Sequence, residues 1–340
     1  MEKSTKRVKA VGLVSGGLDS ALSAKLILDQ GIEVIGAHFI TPFTQGSLQN
    51  PGEENIVQRQ AKKLGFEYRS VYPGEEYIEL VKNPKWKYGA HINPCIDCHI
   101  YFLLKAGDIM KEEEAQFVFT GEVAGQRPMS QKMHTLLMIE KQSGLEGYLL
   151  RPISALLLEP TIPEKMGLVD RTRLLGLSGR SRKVQFMLAE KFGIEEYLTP
   201  AGGCLLTDPG YSARLRDLFT HGVSDMNNIQ TLKLGRHFRL DPHTRLIVGR
   251  NERENRILAN LALETDVLLE AEGGGSPLSI LRGKMTEELI RLAAAITRRY
   301  SRERDNVHAV VHVRKGDSPD IESLIPSSSD SKLMESLRIS

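Results

Sequence analysis

Six consecutive residues near the start of the chain have the types and spacing to hold a phosphate. Ser15, Gly16, Gly17, Leu18, Asp19 and Ser20 follow an apolar run and lead into a helical pattern. Two adjacent glycines let the backbone approach an anion closely. The helix N-terminus behind them offers unpaired N–H groups and a partial positive charge. Ser15 and Ser20 add hydroxyl donors, and Asp19 can hold Mg²⁺ directly or through water. The plainer reading is an ordinary glycine-rich turn, which the whole hexapeptide in this setting disfavours. The string also lacks the Gly-Lys-Ser/Thr ending of a Walker loop.

The chain has three cysteines, Cys95, Cys98 and Cys204. Asn93 suits an N-cap and Pro94 the first helical position. Cys95 and Cys98 then share one face of a helix at its positive end, which favours thiolate. Cys204 follows Gly202 and Gly203 on a loop expected to fold back. Several chemistries fit these residues. Free cysteines are often simply buried. The Cys-Ile-Asp-Cys-His string matches a c-type haem site, which requires export. Zinc needs a fourth ligand, and His99 points elsewhere if Cys95 and Cys98 converge. An iron–sulfur cluster held by Cys95, Cys98 and Cys204 leaves one iron open. Without a metal, Cys98 and Cys204 act as nucleophile and persulfide carrier.

These residues need a scaffold. Val8–Val14 reads as a buried parallel strand, Ile32–Ile40 as a second, Phe66–Val71 as a third and Gln116–Thr120 as a fourth. Helical patterns alternate with them, including one over residues 54–64. The alternation predicts an α/β fold with a doubly wound parallel sheet. Arg171–Gly193 reads as basic and helical, and Thr199–Gly203 as a turn. After about Asp208 short strands mix with helices, which predicts a smaller α+β domain. Gly273–Ser276 reads as a hairpin turn. The Ser- and Asp-rich stretch from Lys315 is expected to be disordered. The expected domains are therefore 1–207 and 208–314, with a tail over 315–340.

The 340 residues suit two domains, and the formal charge of +2 means that any nucleic-acid site must be a local basic patch. No apolar run has the length of a membrane span, and the polar N-terminus lacks a signal-peptide core. The cytosol is the expected compartment, where thiols stay reduced.

The SGGLDS string resembles the signature of the PP-loop, or N-type ATP pyrophosphatase, family. The resemblance implies an adenine nucleotide alpha hydrolase-like fold, binding of the ATP pyrophosphate, and transfer of AMP to a substrate oxygen. Other stretches agree. His38-Phe39-Ile40-Thr41-Pro42-Phe43-Thr44 resembles the segment after the second strand in tRNA 4-thiouridine synthetases. Thr120-Gly121-Glu122-Val123-Ala124-Gly125-Gln126 resembles their segment lining the nucleotide and target-base site. Asn93-Pro94 through Cys98 is similar to the first-cysteine motif of tRNA 2-thiouridylases, and Gly203-Cys204 to their second. The three-cysteine pattern resembles that of [4Fe–4S]-dependent tRNA thiolases. Residues 208–313 resemble an NFACT-type RNA-binding module.

The resemblance implies ATP-dependent thiolation of a tRNA uridine, with 4-thiouridine the leading product and 2-thiouridine the alternative. The implied nucleotide-binding residues are Ser15, Gly16, Gly17, Asp19, Ser20, His38, Phe39, Thr120 and Gly121. Asp19, Cys98 and Cys204 are the implied catalytic residues. The implied cofactors are ATP, Mg²⁺ and a [4Fe–4S] cluster. Two departures matter. Neither a THUMP tRNA-binding domain before the loop nor a rhodanese domain after it is expected. Sulfur is then expected from sulfide or a persulfide-carrying protein. Substrate capture is expected from the C-terminal module or a second subunit, which makes a homodimer an expectation.

Arg171, Arg173, Arg180, Arg182 and Lys183 form one dense basic stretch. Arg214, Arg216, Lys233, Arg236, Arg239, Arg245 and Arg250 supply another. Such contacts to phosphate carry most sequence-independent RNA affinity. Arg180, Arg182, Lys183 and Arg236 are the RNA-contact candidates. A nitrogen-transferring PP-loop ligase explains the loop but gives the cysteines no role. An RNA-binding adaptor leaves Ser15, Asp19 and Ser20 unexplained.

Overall fold

The computed structural model describes residues 7–44, 54–198, 204–327 and 331–340. The expected turn over Thr199–Gly203 lies outside them. The chain divides into two compact units, Met1–Leu205 and Leu206–Ser340.

The first unit is a five-stranded, all-parallel sheet with helices. In chain order it runs β1 (Lys9–Leu13), α1 (Leu18–Leu28), β2 (Glu33–Phe39), α2 (Ile56–Leu64), β3 (Glu67–Val71), α3 (Glu75–Lys82), α4 (Cys95–Glu112), β4 (Phe117–Thr120), α5 (Met133–Gln142), β5 (Leu149–Leu150), α6 (Ile162–Lys165) and α7 (Lys183–Lys191). The strand order is β3-β2-β1-β4-β5. β1 is central because both its faces are apolar: Ala10 and Val11 are fully buried, as a covered parallel strand requires. The order turns back at β1, with β2 on one side and β4 on the other. Sites in open parallel sheets form outside the carboxyl ends of strands at such a reversal. The SGGLDS segment stands at that end of β1.

α2 shows how the sequence fixes an element. Asn55 caps it by accepting from the Gln58 N–H, Gln58 caps reciprocally, and left-handed Gly65 ends it. α4 begins one residue later than expected: Pro94, not Asn93, is its N-cap. The basic stretch Arg171–Gly193 is not one helix. Only Lys183–Lys191 is α-helical, with a single 3₁₀ turn at Arg171–Arg173. Between them Ser178 forms a parallel bridge with Ala124, and Gly179 donates to the Ala124 carbonyl at 2.8 Å. Pairing with Ala124 holds this part of the chain extended.

The second unit contains α8 (Pro209–Thr220), α9 (Met226–Thr231), β6 (Arg236–Asp241), β7 (Thr244–Val248), α10 (Glu252–Leu261), β8 (Val267–Ala271), β9 (Ser279–Gly283), α11 (Glu287–Arg299), β10 (Val311–Lys315), β11 (Ile321–Leu324), α12 (Ser331–Ser336) and β12 (Arg338–Ile339). Its seven strands form one antiparallel sheet in the order β11-β10-β8-β9-β7-β6-β12. The glycine run 273–275 connects the antiparallel pair β8 and β9. α11 is amphipathic and buries Ala293, Ala294 and Ile296 on the core that Phe238, Leu246, Leu269 and Leu281 share.

The described residues of the tail expected to be disordered are ordered. β11 pairs with β10, β12 pairs with β6, and Met334 of α12 is buried in the same core. Sheet pairing and one buried methionine order a stretch whose composition alone predicts none.

Candidate active site

The SGGLDS loop closes on itself through its two serines. Ser20 Oγ donates to the Gly17 carbonyl at 2.8 Å and accepts from the Ser15 N–H at 3.3 Å. Gly17 is the N-cap of α1 and supplies no side-chain cap. The first-turn N–H groups of α1 therefore have no capping side chain competing for them. Gly16 has φ of 77°, and a Cβ there would lie 2.6 Å from Ile56. Its carbonyl is held by the Leu198 N–H at 2.8 Å and the Gln60 amide at 3.2 Å.

The segment after β4 packs directly on this loop. A Cβ on Gly121 would lie 2.5 Å from the Ser20 backbone nitrogen, so only glycine admits the approach. Gln126 Nε2 donates to Asp19 Oδ2 at 2.9 Å. Arg182 Nη2 stands 3.5 Å from the same oxygen. Loop, Thr120–Gln126 segment and the start of α7 therefore meet at Asp19. The expected grouping of Arg182 with Arg180 and Lys183 on an RNA-facing surface is corrected here. Arg180 and Lys183 are exposed, whereas Arg182 turns inward toward the Asp19 carboxylate.

His38 and Phe39 end β2. His38 Nδ1 lies 3.1 Å from the Tyr68 hydroxyl, and burial pulls the imidazole down to about 4. Phe39 stacks on Phe102 at 4.7 Å between ring centroids. Both are therefore engaged in the fold. Thr120 Oγ1 donates to Glu122 at 3.2 Å.

Cys95 and Cys98 open α4, and Cys204 reaches Cys98 electrostatically from a separate segment. Asp97 anchors the chain before α4, accepting from the Lys85 N–H at 2.9 Å and the Trp86 N–H at 3.1 Å. Cys204 forms an antiparallel bridge with Thr44, and Leu205 donates to the Phe43 carbonyl at 2.9 Å. Cys204 thus returns to the segment after β2. Cys204 is exposed and Cys98 is buried. Cys98 Sγ lies 3.2 Å from the Tyr77 hydroxyl.

Cys95 and Cys98 do not behave alike, contrary to the expectation that the helix end favours both thiolates. Burial raises the Cys95 thiol, but the charge and hydrogen bond of His99 outweigh it and bring it to about 7. Burial pushes the Cys98 thiol well up, and Cys204 and Cys95 add to the effect. The i,i+4 spacing puts His99 beside Cys95. His99 Nδ1 lies 2.8 Å from Glu122 Oε1. Glu122 accepts from Arg151 Nε at 3.0 Å, and Arg151 Nη1 reaches Glu140 at 2.7 Å. Burial raises Glu122, yet Arg151 and then His99 overcome it and hold the carboxyl at about 2. Burial also works against protonated His99, but Cys95 and Glu122 raise it to about 10. The arrangement can hold Cys95 as a thiolate.

Glu122 and Gln126 stand in the quoted Thr120–Gln126 segment but are not singled out there as site residues, and nothing local to Arg151 signals it. Among the described residues no three His, Cys, Asp or Glu side chains form a ready-made metal-binding group. No helix among them is long and apolar enough to cross a membrane.

In the second unit the expected basic patch divides. Arg245 is buried and bonds Asn228 and Thr231. Arg239 is paired with Asp217, Nη2 to Oδ2 at 2.5 Å. Arg216 and Arg250 are exposed, and Arg236 lies 4.5 Å over the Tyr300 ring.

Comparison with known proteins finds one family match within each unit. Residues 5–159 match the family described as Thiamine biosynthesis protein (ThiI), and residues 235–332 match the NFACT protein RNA binding domain. The tRNA-specific 2-thiouridylase MnmA of Pelotomaculum thermopropionicum is 31% identical over 140 residues, 35% of this chain and 36% of that protein. A probable tRNA sulfurtransferase of Thermococcus kodakarensis is 27% identical over 176 residues, 49% of this chain and 41% of that protein. The chain thus spans less than half the length of these curated relatives. A solved 4-thiouridine synthetase–RNA complex with bound ATP aligns at a TM-score of 0.38 and 19% identity, over 66% of this chain and 52% of that one. One stretch of the chain is thus similar to the ThiI family and a later one to the NFACT RNA binding domain.

Proposed function

We propose that this protein uses ATP to thiolate a uridine of tRNA. The observation that carries the reading is the linking of two sets of residues in one unit: an uncapped SGGLDS loop, and the cysteine pair at the start of α4 with Cys204 acting on it. They are linked through the Thr120–Gln126 segment, which bonds Asp19 through Gln126 and His99 through Glu122. A nitrogen-transferring ligase would need the first set and not the second.

Two displacements make up the reaction. The uracil carbonyl oxygen attacks the α-phosphorus of ATP, and pyrophosphate leaves. Ser15, the α1 N–H groups and Ser20 stabilise the charge that develops there. A sulfur nucleophile then attacks the activated carbon, AMP leaves with the former carbonyl oxygen, and loss of the sulfur proton completes the thiocarbonyl. Asp19 is suited to hold Mg²⁺ at the phosphates. Sulfur comes from sulfide or from a persulfide-carrying donor protein. The leading product is 4-thiouridine, with 2-thiouridine the alternative.

Cys95, Cys98 and Cys204 suit a [4Fe–4S] cluster in donor chemistry, since such clusters are held by thiolates and both other cysteines act on Cys98. When bound, the cluster would supply an iron open to an added sulfur ligand. In the protein-only version a persulfide on Cys204 attacks the activated carbon and AMP leaves. The Cys98 thiolate then attacks the Cys204 sulfur, forming a Cys98–Cys204 disulfide and releasing the thiouridine sulfur, and an external dithiol reopens the disulfide. Iron and sulfide analysis after anaerobic purification separates these: iron that is lost in Cys95→Ala supports the cluster, and iron-free active protein refutes it. Arg180, Lys183 and Arg236 contact tRNA in this reading. Capture falls to the NFACT-type domain or to a second copy of the chain, which light scattering with and without tRNA tests.

Nucleoside analysis of tRNA from a strain lacking the gene tests the function. Loss of one thiouridine, restored by the wild-type gene and not by the Asp19→Ala gene, is the expected result. An unchanged set of thionucleosides defeats the proposal.

A further inference from the structure

The contact between α1 and the entry to α7 holds a set of polar atoms that the fold does not satisfy. Asp19 Oδ1, Gln126 Oε1, and Arg182 Nε and Nη1 are all buried and have no hydrogen-bond partner among the described residues. Their existing contacts are few. Gln126 Nε2 donates to Asp19 Oδ2 at 2.9 Å, and Arg182 Nη2 stands 3.5 Å from that oxygen. The Arg182 guanidinium also lies 5.4 Å from the Phe186 ring centroid.

A buried donor left unpaired is destabilising, the more so for a charged group. Such atoms in a native fold call for a physical reason. A purely structural latch on Asp19 would use a bidentate pair, as Arg282 does with Asp266 at 2.9 and 2.6 Å in the second unit. Arg182 instead makes one long contact and keeps Nε and Nη1 unpaired. These two nitrogens lie on different edges of the guanidinium, so each can donate to a separate phosphate oxygen while Nη2 stays turned toward Asp19. They sit beside the first turn of α1, where Gly17 leaves the helix without a side-chain cap.

We propose that Arg182 binds phosphate at this site, with Nε and Nη1 donating to non-bridging oxygens of the ATP polyphosphate. This rests on the reading of Ser15–Ser20 as the nucleotide loop. It adds a residue outside the 5–159 stretch that matches the ThiI description. The bridge of Ser178 to Ala124 and the Gly179 N–H bond to Ala124 bring that later stretch to the loop. Packing against Phe186 and the single contact to Asp19 hold the guanidinium ready, so little side-chain freedom is lost on binding.

Titration calorimetry on the full chain tests this, with ATP, adenosine and tRNA each added separately in the presence of magnesium. Wild type, Arg182→Ala and Arg182→Lys are compared. Arg182→Ala is expected to weaken ATP binding by about 10–100-fold, the loss of a charge-assisted contact. Adenosine and tRNA affinities should not change, and Arg182→Lys should recover part of the ATP loss. ATP binding at wild-type strength in Arg182→Ala overturns the proposal. So does an equal loss for ATP and adenosine, or a loss confined to tRNA, which would assign Arg182 to RNA phosphate. Wild-type protein that binds no ATP refutes the nucleotide-loop reading itself, a result distinct from all of these.

Discussion

His99 Nδ1 lies 2.8 Å from Glu122 Oε1, which ties the helix carrying Cys95 and Cys98 to the segment that follows β4. The same carboxylate accepts from Arg151, a residue only 1% exposed. Cys95, His99, Glu122 and Arg151 therefore form one chain of alternating charge.

Arg151 holds two carboxylates at once, Glu122 at 3.0 Å and Glu140 at 2.7 Å. Arg151→Met leaves both without their cation in a buried setting. Breaking a buried pair from one side costs about 3–5 kcal/mol. Urea unfolding should show a loss of that size. A loss below about 1 kcal/mol, the range of an exposed pair, would show that the network carries little stability.

Gly121 tests the fit between the Thr120–Gln126 segment and the loop. Its missing side chain leaves the Ser20 backbone nitrogen only 2.5 Å from where a Cβ would stand. Gly121→Ala must displace the first turn of α1. A misplacement of about 1 Å can cost about 100-fold in rate. ATP-dependent pyrophosphate exchange in the presence of tRNA should fall by that order, and exchange at the wild-type rate would show that the approach is not needed.

His38 supplies a pH dependence. Burial lowers its imidazole from 6.5 to about 4. Between those values the unfolded chain binds a proton that the folded chain refuses, so stability falls as pH drops through that window. The full loss, present below about pH 4, is about 3 kcal/mol. His38→Gln should flatten the stability profile between pH 6.5 and 4. A profile as steep as that of the wild type would show that other groups set the acid sensitivity.

Much of the site was legible in the sequence because it is local. The SGGLDS loop needs only a strand, two glycines and a helix start, and β1 and α1 supply them within twenty residues. The i,i+3 spacing of Cys95 and Cys98 fixed their shared helix. What was not legible is long-range. Arg182 read as part of a basic surface because its neighbours are basic, yet the Ala124–Ser178 bridge carries it to Asp19. Arg245 and Arg239 read as RNA contacts because nothing in sequence marks Asn228 and Asp217 as their partners. β12 is two residues long, too short for any period, and exists because it pairs with β6.

Arg236 is the RNA candidate in the second unit whose guanidinium is held over a ring, at 4.5 Å from the Tyr300 centroid. Arg236→Ala should weaken tRNA binding evenly across sequences and reduce the salt slope by about 1. Filter binding over a series of salt concentrations measures both. An unchanged slope removes Arg236 from the RNA surface.

The most direct test of the account combines purified anaerobic protein with unmodified tRNA, magnesium, ATP and sulfide, followed by mass analysis of the nucleosides and nucleotides. The account predicts a thiouridine, with one AMP and one pyrophosphate formed for each, and neither product from Asp19→Ala protein. ATP converted to ADP, or AMP formed with no sulfur entering the tRNA, would contradict it.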